Sequence, residues 1–157
     1  MKKLVYVAVA LALTLCVAVA QEQPWFDMKN CAFCKEIDAQ PGLMQHMTNE
    51  YHNIKGGYLS ITHIDPEYQE AFKKAQAGMQ KVVADMQSTG KTPPMCQHCT
   101  KYGEFLHAGA QEQYVHSAFG DIFMMTSSDT AMVTSLQAFS ARCGQECEKI
   151  KAEMKAK

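Results

Sequence analysis

The sequence predicts an α+β fold: two tandem αββα repeats forming one pseudo-twofold domain, with a four-stranded antiparallel sheet covered by helices on one face. Three observations predict it. Residues set beside those 64 positions later match in chemistry, each half carries a short hairpin pattern, and each half closes on a long amphipathic stripe. Phe72 meets Leu136, Ala75 meets Phe139, Met79 meets Cys143 and Val83 meets Cys147. Gly56 meets Gly120, Asp65 meets Asp129 and His52 meets His116, while the two Cys-x-x-Cys pairs match after one inserted residue.

The first element is a leader. Met1-Lys2-Lys3 precedes an uncharged apolar run ending in Ala18-Val19-Ala20, the pattern of a secretory signal cut after a small residue. Cys16 follows the bulky Leu15, which is wrong for a lipobox. Residues 1–20 are therefore expected to be a cleavable signal peptide and 21–26 a short tail. Repeat 1 follows over 27–90 and repeat 2 over 91–157, the repeats packing as one domain. The expected location is outside the cytoplasm, periplasmic or extracellular, with no membrane span after cleavage.

Each repeat opens with a helix near its Cys-x-x-Cys, interrupted in repeat 1 by Pro41-Gly42. Hairpins follow. Glu50 to Ile54, a Lys55-Gly56-Gly57 turn and Tyr58 to Ile64 form the first; Gln113 to Phe119, a Gly120-Asp121 turn and Ile122 to Ser127 form the second. Leu59, Ile61, Phe123 and Met125 are assigned to the core face by alternation. Asp65-Pro66-Glu67 starts the first closing helix, whose stripe is Tyr68, Phe72, Ala75, Met79, Val83 and Met86, and Gly90 stops it. Ser128-Asp129 starts the second, with the stripe Met132, Leu136, Phe139, Cys143, Cys147 and Ile150.

Composition narrows the function. The formal net charge of −1 is too mild to argue for nucleic acid or an anionic membrane. Seven Cys, 11 Met and six His offer the ligand palette of soft metals. No nucleophile elbow, phosphate loop or HExxH is present, and no carboxylate pair is placed for acid–base chemistry. Nothing positive supports a hydrolase, and the balance leans away from an enzyme, with thiol–disulfide exchange as the activity left open.

The cysteines left after cleavage admit several arrangements. If the two helices of repeat 2 run antiparallel, Cys96 and Cys99 approach Cys143 and Cys147. Oxidised, they would pair as Cys96–Cys147 and Cys99–Cys143; reduced, they would hold zinc or another thiophilic ion. A different geometry joins Cys31, Cys34, Cys96 and Cys99 across the pseudo-twofold axis, as two Cys-x-x-Cys knuckles. Cys31 and Cys34 could also close on each other as a redox pair. Trp25, Phe26 and Lys35 around them resemble the surroundings of a thioredoxin active site, but the middle residues are Ala32-Phe33 and no βαβ unit precedes them. The fifth residues, Lys35 and Thr100, are not the histidine that covalent haem needs.

Histidine and methionine add candidates. His52 and His116 could meet near the centre of the sheet, and His46 lies between Met44 and Met47. His98 should point off the cysteine face of a helix.

The leading expectation is an exported small binding protein engaging a soft metal, Zn or Cu, through Cys31, Cys34, Cys96, Cys99, Cys143 and Cys147, aided by His46, His52 or His116. The alternatives are a disulfide-stapled interaction module without chemistry and a thiol–disulfide exchange protein using Cys31 and Cys34. The expected partner is a metal ion or another protein, with a homodimer through a sheet edge as one form.

Overall fold

The computed structural model describes residues 23–156. The expected leader and its cleavage point lie outside the described residues. No helix among those residues is long and apolar enough to cross a membrane.

A four-stranded antiparallel sheet carries the fold, in the order β1-β2-β4-β3. A short helix α1 (Cys34–Asp38) and a 3₁₀ turn (Leu43–His46) lead into β1 (Met47–Ile54) and β2 (Gly57–Ile64). A second 3₁₀ turn (Pro66–Tyr68) opens α2 (Gln69–Thr89). Then come α3 (Gln97–His107), β3 (Gln111–Ser117), β4 (Gly120–Thr126) and α4 (Thr130–Lys155).

Local chemistry explains the helix ends. Gly90 stops α2 in the left-handed region, φ 66°, and its N–H donates to the Met86 carbonyl. Asp129 accepts from the Met132 N–H at 2.7 Å and caps α4, as its position before the stripe predicts.

Both hairpins turn through two residues, Lys55-Gly56 and Ala118-Phe119. Gly57 and Gly120 therefore stand at the first strand position after each turn, with φ 154° and 139°. At these points β2 and β4 come too close for a side chain. A Cβ on Gly57 would lie 2.0 Å from the Met125 carbonyl oxygen, and one on Gly120 1.9 Å from that of Thr62. Glycine is required here for space as well as for φ.

The register, with Tyr58 and Ile64 in the core, also corrects the expected core face. Gly57 belongs to the strand, and paired residues share a face. The helix-covered rungs are Asn53–Tyr58–Met125–Glu112 and Tyr51–Ser60–Phe123–Tyr114. Phe123 and Met125 face the core as expected. Leu59 and Ile61 face the other way, on rungs with Met124 and Ile122.

The core lies between the covered face and the helices. Tyr58, Met125, Leu136, Phe139, Ala110 and Cys143 form its main cluster, and α4 packs on β1, β2 and β4. Leu43, Ile64 and Ala75 form a second cluster under α2. Tyr58 and Ile64 lie six residues apart on β2, so α2 and α4 sit on the same face of the sheet. Gln137 on α4 donates to the Ile54 carbonyl at 2.9 Å, fixing the crossing of α4 over β1. Val83 departs from its expected inward position: it is 43% exposed, because the distal part of α2 runs past the second cluster.

Candidate metal centre

The centre is built from the segment before α1 and the first turn of α3. Asp27 organises the first part. Its Oδ1 accepts from the backbone N–H groups of Lys29 (3.1 Å) and Asn30 (2.9 Å), and its carboxylate also takes the Asn30 side-chain amide. The Asn30 side chain, then its backbone N–H, hold the Asp27 carboxyl below the usual carboxylate range. The Asp27 carbonyl accepts from the Cys31 N–H, so the turn delivers Cys31 directly to α1.

Two long-range contacts bring the second pair alongside. The Ala32 N–H donates to the Pro94 carbonyl at 2.9 Å, just ahead of Cys96. The Gln97 and His98 N–H groups, free donors of the first turn of α3, go to the carbonyls of Pro24 and Trp25. The chain before Cys31 thus crosses the start of the helix that carries Cys96 and Cys99. Cys34 is the first residue of α1 and Cys96 the N-cap of α3.

Four sulfurs converge as a result. The Sγ atoms of Cys31, Cys34, Cys96 and Cys99 all lie within 4.8 Å of one another. Cys34 Sγ is 3.6 Å from Cys96 Sγ and 3.9 Å from Cys99 Sγ. Zinc–thiolate bonds of about 2.3 Å arranged tetrahedrally give sulfur–sulfur edges of about 3.8 Å. The cage therefore has the dimensions of a four-thiolate metal site, and its sulfurs stand too far apart for a covalent S–S bond. Cys31, Cys34 and Cys96 are buried and Cys99 is half-buried. Phe26, Met28 and Phe33 pack around them.

Without a cation, so many sulfurs cannot share one apolar cage as thiolates. Hydrogen bonds from the thiols of Cys34 and then Cys99 hold Cys96 far below the ordinary thiol range. Cys34 is pushed up, first by its bond to Cys96. Cys99 is pushed up by its bonds to Cys34 and Cys96, then by burial. One thiolate accepting from its neighbours is the arrangement that a metal ion would extend, by replacing the protons.

The structure separates the other expected ligands. Cys143 and Cys147 do not join Cys96 and Cys99: α4 meets α3 through Phe139 against His98 and Phe105, while Cys143 turns into the main core cluster and Cys147 toward Tyr51 on β1. Cys143 is fully buried in the main core cluster, and burial pushes its thiol up. Burial likewise raises Cys147, against the Tyr51 hydroxyl on β1, which lowers it. The pairings Cys96–Cys147, Cys99–Cys143 and Cys31–Cys34 are not formed: all six described cysteines are free thiols.

His52 and His116 do not meet either. They stand on the outer strands and on opposite faces: His52 shares a rung with Leu59, while His116 lies on the covered side and bonds Asp121 at 2.8 Å. His46 bonds Asp65 at 2.7 Å and stacks on Tyr68 at 4.0 Å, with Glu67 nearby. Met47 packs against the second core cluster.

His98 is pressed between Phe139 and Phe26, at centroid distances of 5.0 and 4.9 Å, and burial lowers its pKa to about 4. Its ring belongs to an aromatic cluster that also holds Trp25 and Phe105.

The sequence reading missed the Asp27 turn and the apolar jacket. Asp-x-x-Asn just ahead of Cys31 was the available signal for the first. Phe26, Met28 and Phe33, interleaved with the first knuckle, were the signal for the second.

No protein-family model matches this chain, and no curated protein or solved structure does so either.

Proposed function

We propose that this chain is an exported metal-binding protein whose Cys31, Cys34, Cys96 and Cys99 hold one thiophilic ion. The observation that carries the reading is the set of four sulfurs within 4.8 Å of one another, three of them buried. An all-sulfur tetrahedral set suits zinc, with iron or copper as competitors. Four protein ligands leave no open position, which suits an ion that holds structure together rather than one that activates water. The ion would tie the segment before α1 to the start of α3, elements drawn from opposite halves of the chain.

Export rests on the Lys2-Lys3 and Ala18-Val19-Ala20 pattern. A duplicated αββα ancestor is part of the proposal. Its support is that each half supplies one Cys-x-x-Cys knuckle and one tight-turn glycine, Gly57 or Gly120. Thiol–disulfide exchange is the weaker reading, because Cys31 is 1% and Cys34 7% exposed, out of reach of a protein substrate.

The test is metal analysis of untagged protein purified from the exported compartment, together with a thiol count after denaturation. The expected result is about one ion per chain and six free thiols once the ion is removed. Absence of metal together with disulfides among these four residues would reject the reading.

A further inference from the structure

We propose that the uncovered face of the sheet is the interface of a homodimer, two copies packing sheet on sheet. Register defines this face. Its rungs are His52–Leu59–Met124–Gln113, Glu50–Ile61–Ile122–Val115 and Thr48–His63–Gly120–Ser117. The helices α2 and α4 lie on the opposite side, over Ile64 and Tyr58. Leu59, Ile61, Ile122 and Met124 form a continuous apolar centre, and Val115 beside them is 49% exposed. Phe119, in the turn that joins β3 and β4, is 62% exposed at its end.

Charge selects the occupant. No strand position on this face carries Lys, Arg or Asp. Its single carboxylate, Glu50, is bonded to His52 at 3.1 Å. A contiguous exposed apolar patch with a polar rim marks an interaction surface. Such a face offers little field to a charged partner and little repulsion to its own copy. A two-fold axis parallel to the strands lays β1 of one copy over β3 of the other, keeps the two Glu50 side chains apart and apposes the apolar centres.

The area is sufficient for a modest affinity. Four strands about 4.8 Å apart and seven residues of about 3.4 Å each give about 450 Å² of sheet per copy. With side-chain relief the two copies together bury about 1,000–1,200 Å², the low end for specific association. The dimer is accordingly weak and concentration-dependent, and it uses the face of the sheet rather than an edge.

Sedimentation equilibrium of the exported protein from about 1 to about 200 µM tests this. A reversible monomer–dimer equilibrium is expected. Ile122→Lys at the centre should weaken it at least about a hundredfold, and Val115→Glu at least about tenfold, with the metal content unchanged. Where Ile122→Lys alters the circular dichroism spectrum, the peripheral Val115→Glu decides. Wild-type protein that stays monomeric throughout the range, or a dimer indifferent to a folded variant, overturns the proposal.

Discussion

Cys34 and Cys96, 62 residues apart in the chain, hold their sulfurs 3.6 Å from each other in an apolar cage. A contact of this kind joins α1 to α3 with little other packing between them, so the cage contents decide how firmly the two ends are held.

Cys34→Ser is therefore expected to bring the metal content from about one ion per chain to near none. An ion present at a thousandfold excess over its dissociation constant stabilises the fold by about 4 kcal/mol. The variant and chelator-treated wild type should then melt within a few degrees of each other, both well below the loaded protein. Thermal denaturation with and without chelator checks this, and retention of a full ion by the variant would contradict the site.

Cys147→Ser is expected to keep the metal. Cys147 lies against Tyr51 on β1, away from the four-sulfur cage, so its loss should shift stability by no more than about 1 kcal/mol. Metal analysis of the two serine variants side by side separates the observed cage from one built on the end of α4.

Gly57→Ala and Gly120→Ala should each destabilise by more than about 1 kcal/mol, because the added carbon meets a backbone oxygen and the φ values disfavour it. Gly103 is the contrast. It lies inside α3 with nothing within 4 Å of an added Cβ, so Gly103→Ala should stabilise by about 0.5–1 kcal/mol. Denaturant titration of all three reads the sign directly.

Asp129→Ala should cost about 1 kcal/mol by freeing the Met132 N–H, and Asp129→Asn should recover most of it. Equal loss in both variants would mean that the cap does not stabilise α4.

Much of this was legible in the chain. Gly90 and Asp129 marked helix ends through conformations and hydrogen bonds that belong to those residue types. The two-hairpin sheet followed from alternation and turn residues. The face of β2 was not legible, because both of its faces carry apolar residues: Tyr58 and Ile64 on one, Leu59 and Ile61 on the other. Alternation alone therefore does not say which of the two sets meets the helices.

The cage was one of several geometries open to the sequence. Spacing places two cysteines on one helix face, but it does not say which helices meet. Cys143 and Cys147 sit on the α4 stripe just as ligands would, yet that stripe runs across the sheet. There Cys143 serves as a small buried apolar group.

The carbonyls of Pro24 and Trp25 close the free end of α3, and Trp25 lies 5.4 Å from Phe139, with the Arg142 guanidinium over its ring. The residues immediately beyond the expected cleavage point thus complete the architecture. Proteolytic trimming past Trp25 would uncap the helix that carries Cys96 and Cys99 and uncover His98. A chain cut ahead of Pro24 would keep the four-cysteine cage whole, and purification tags are better placed at the other terminus.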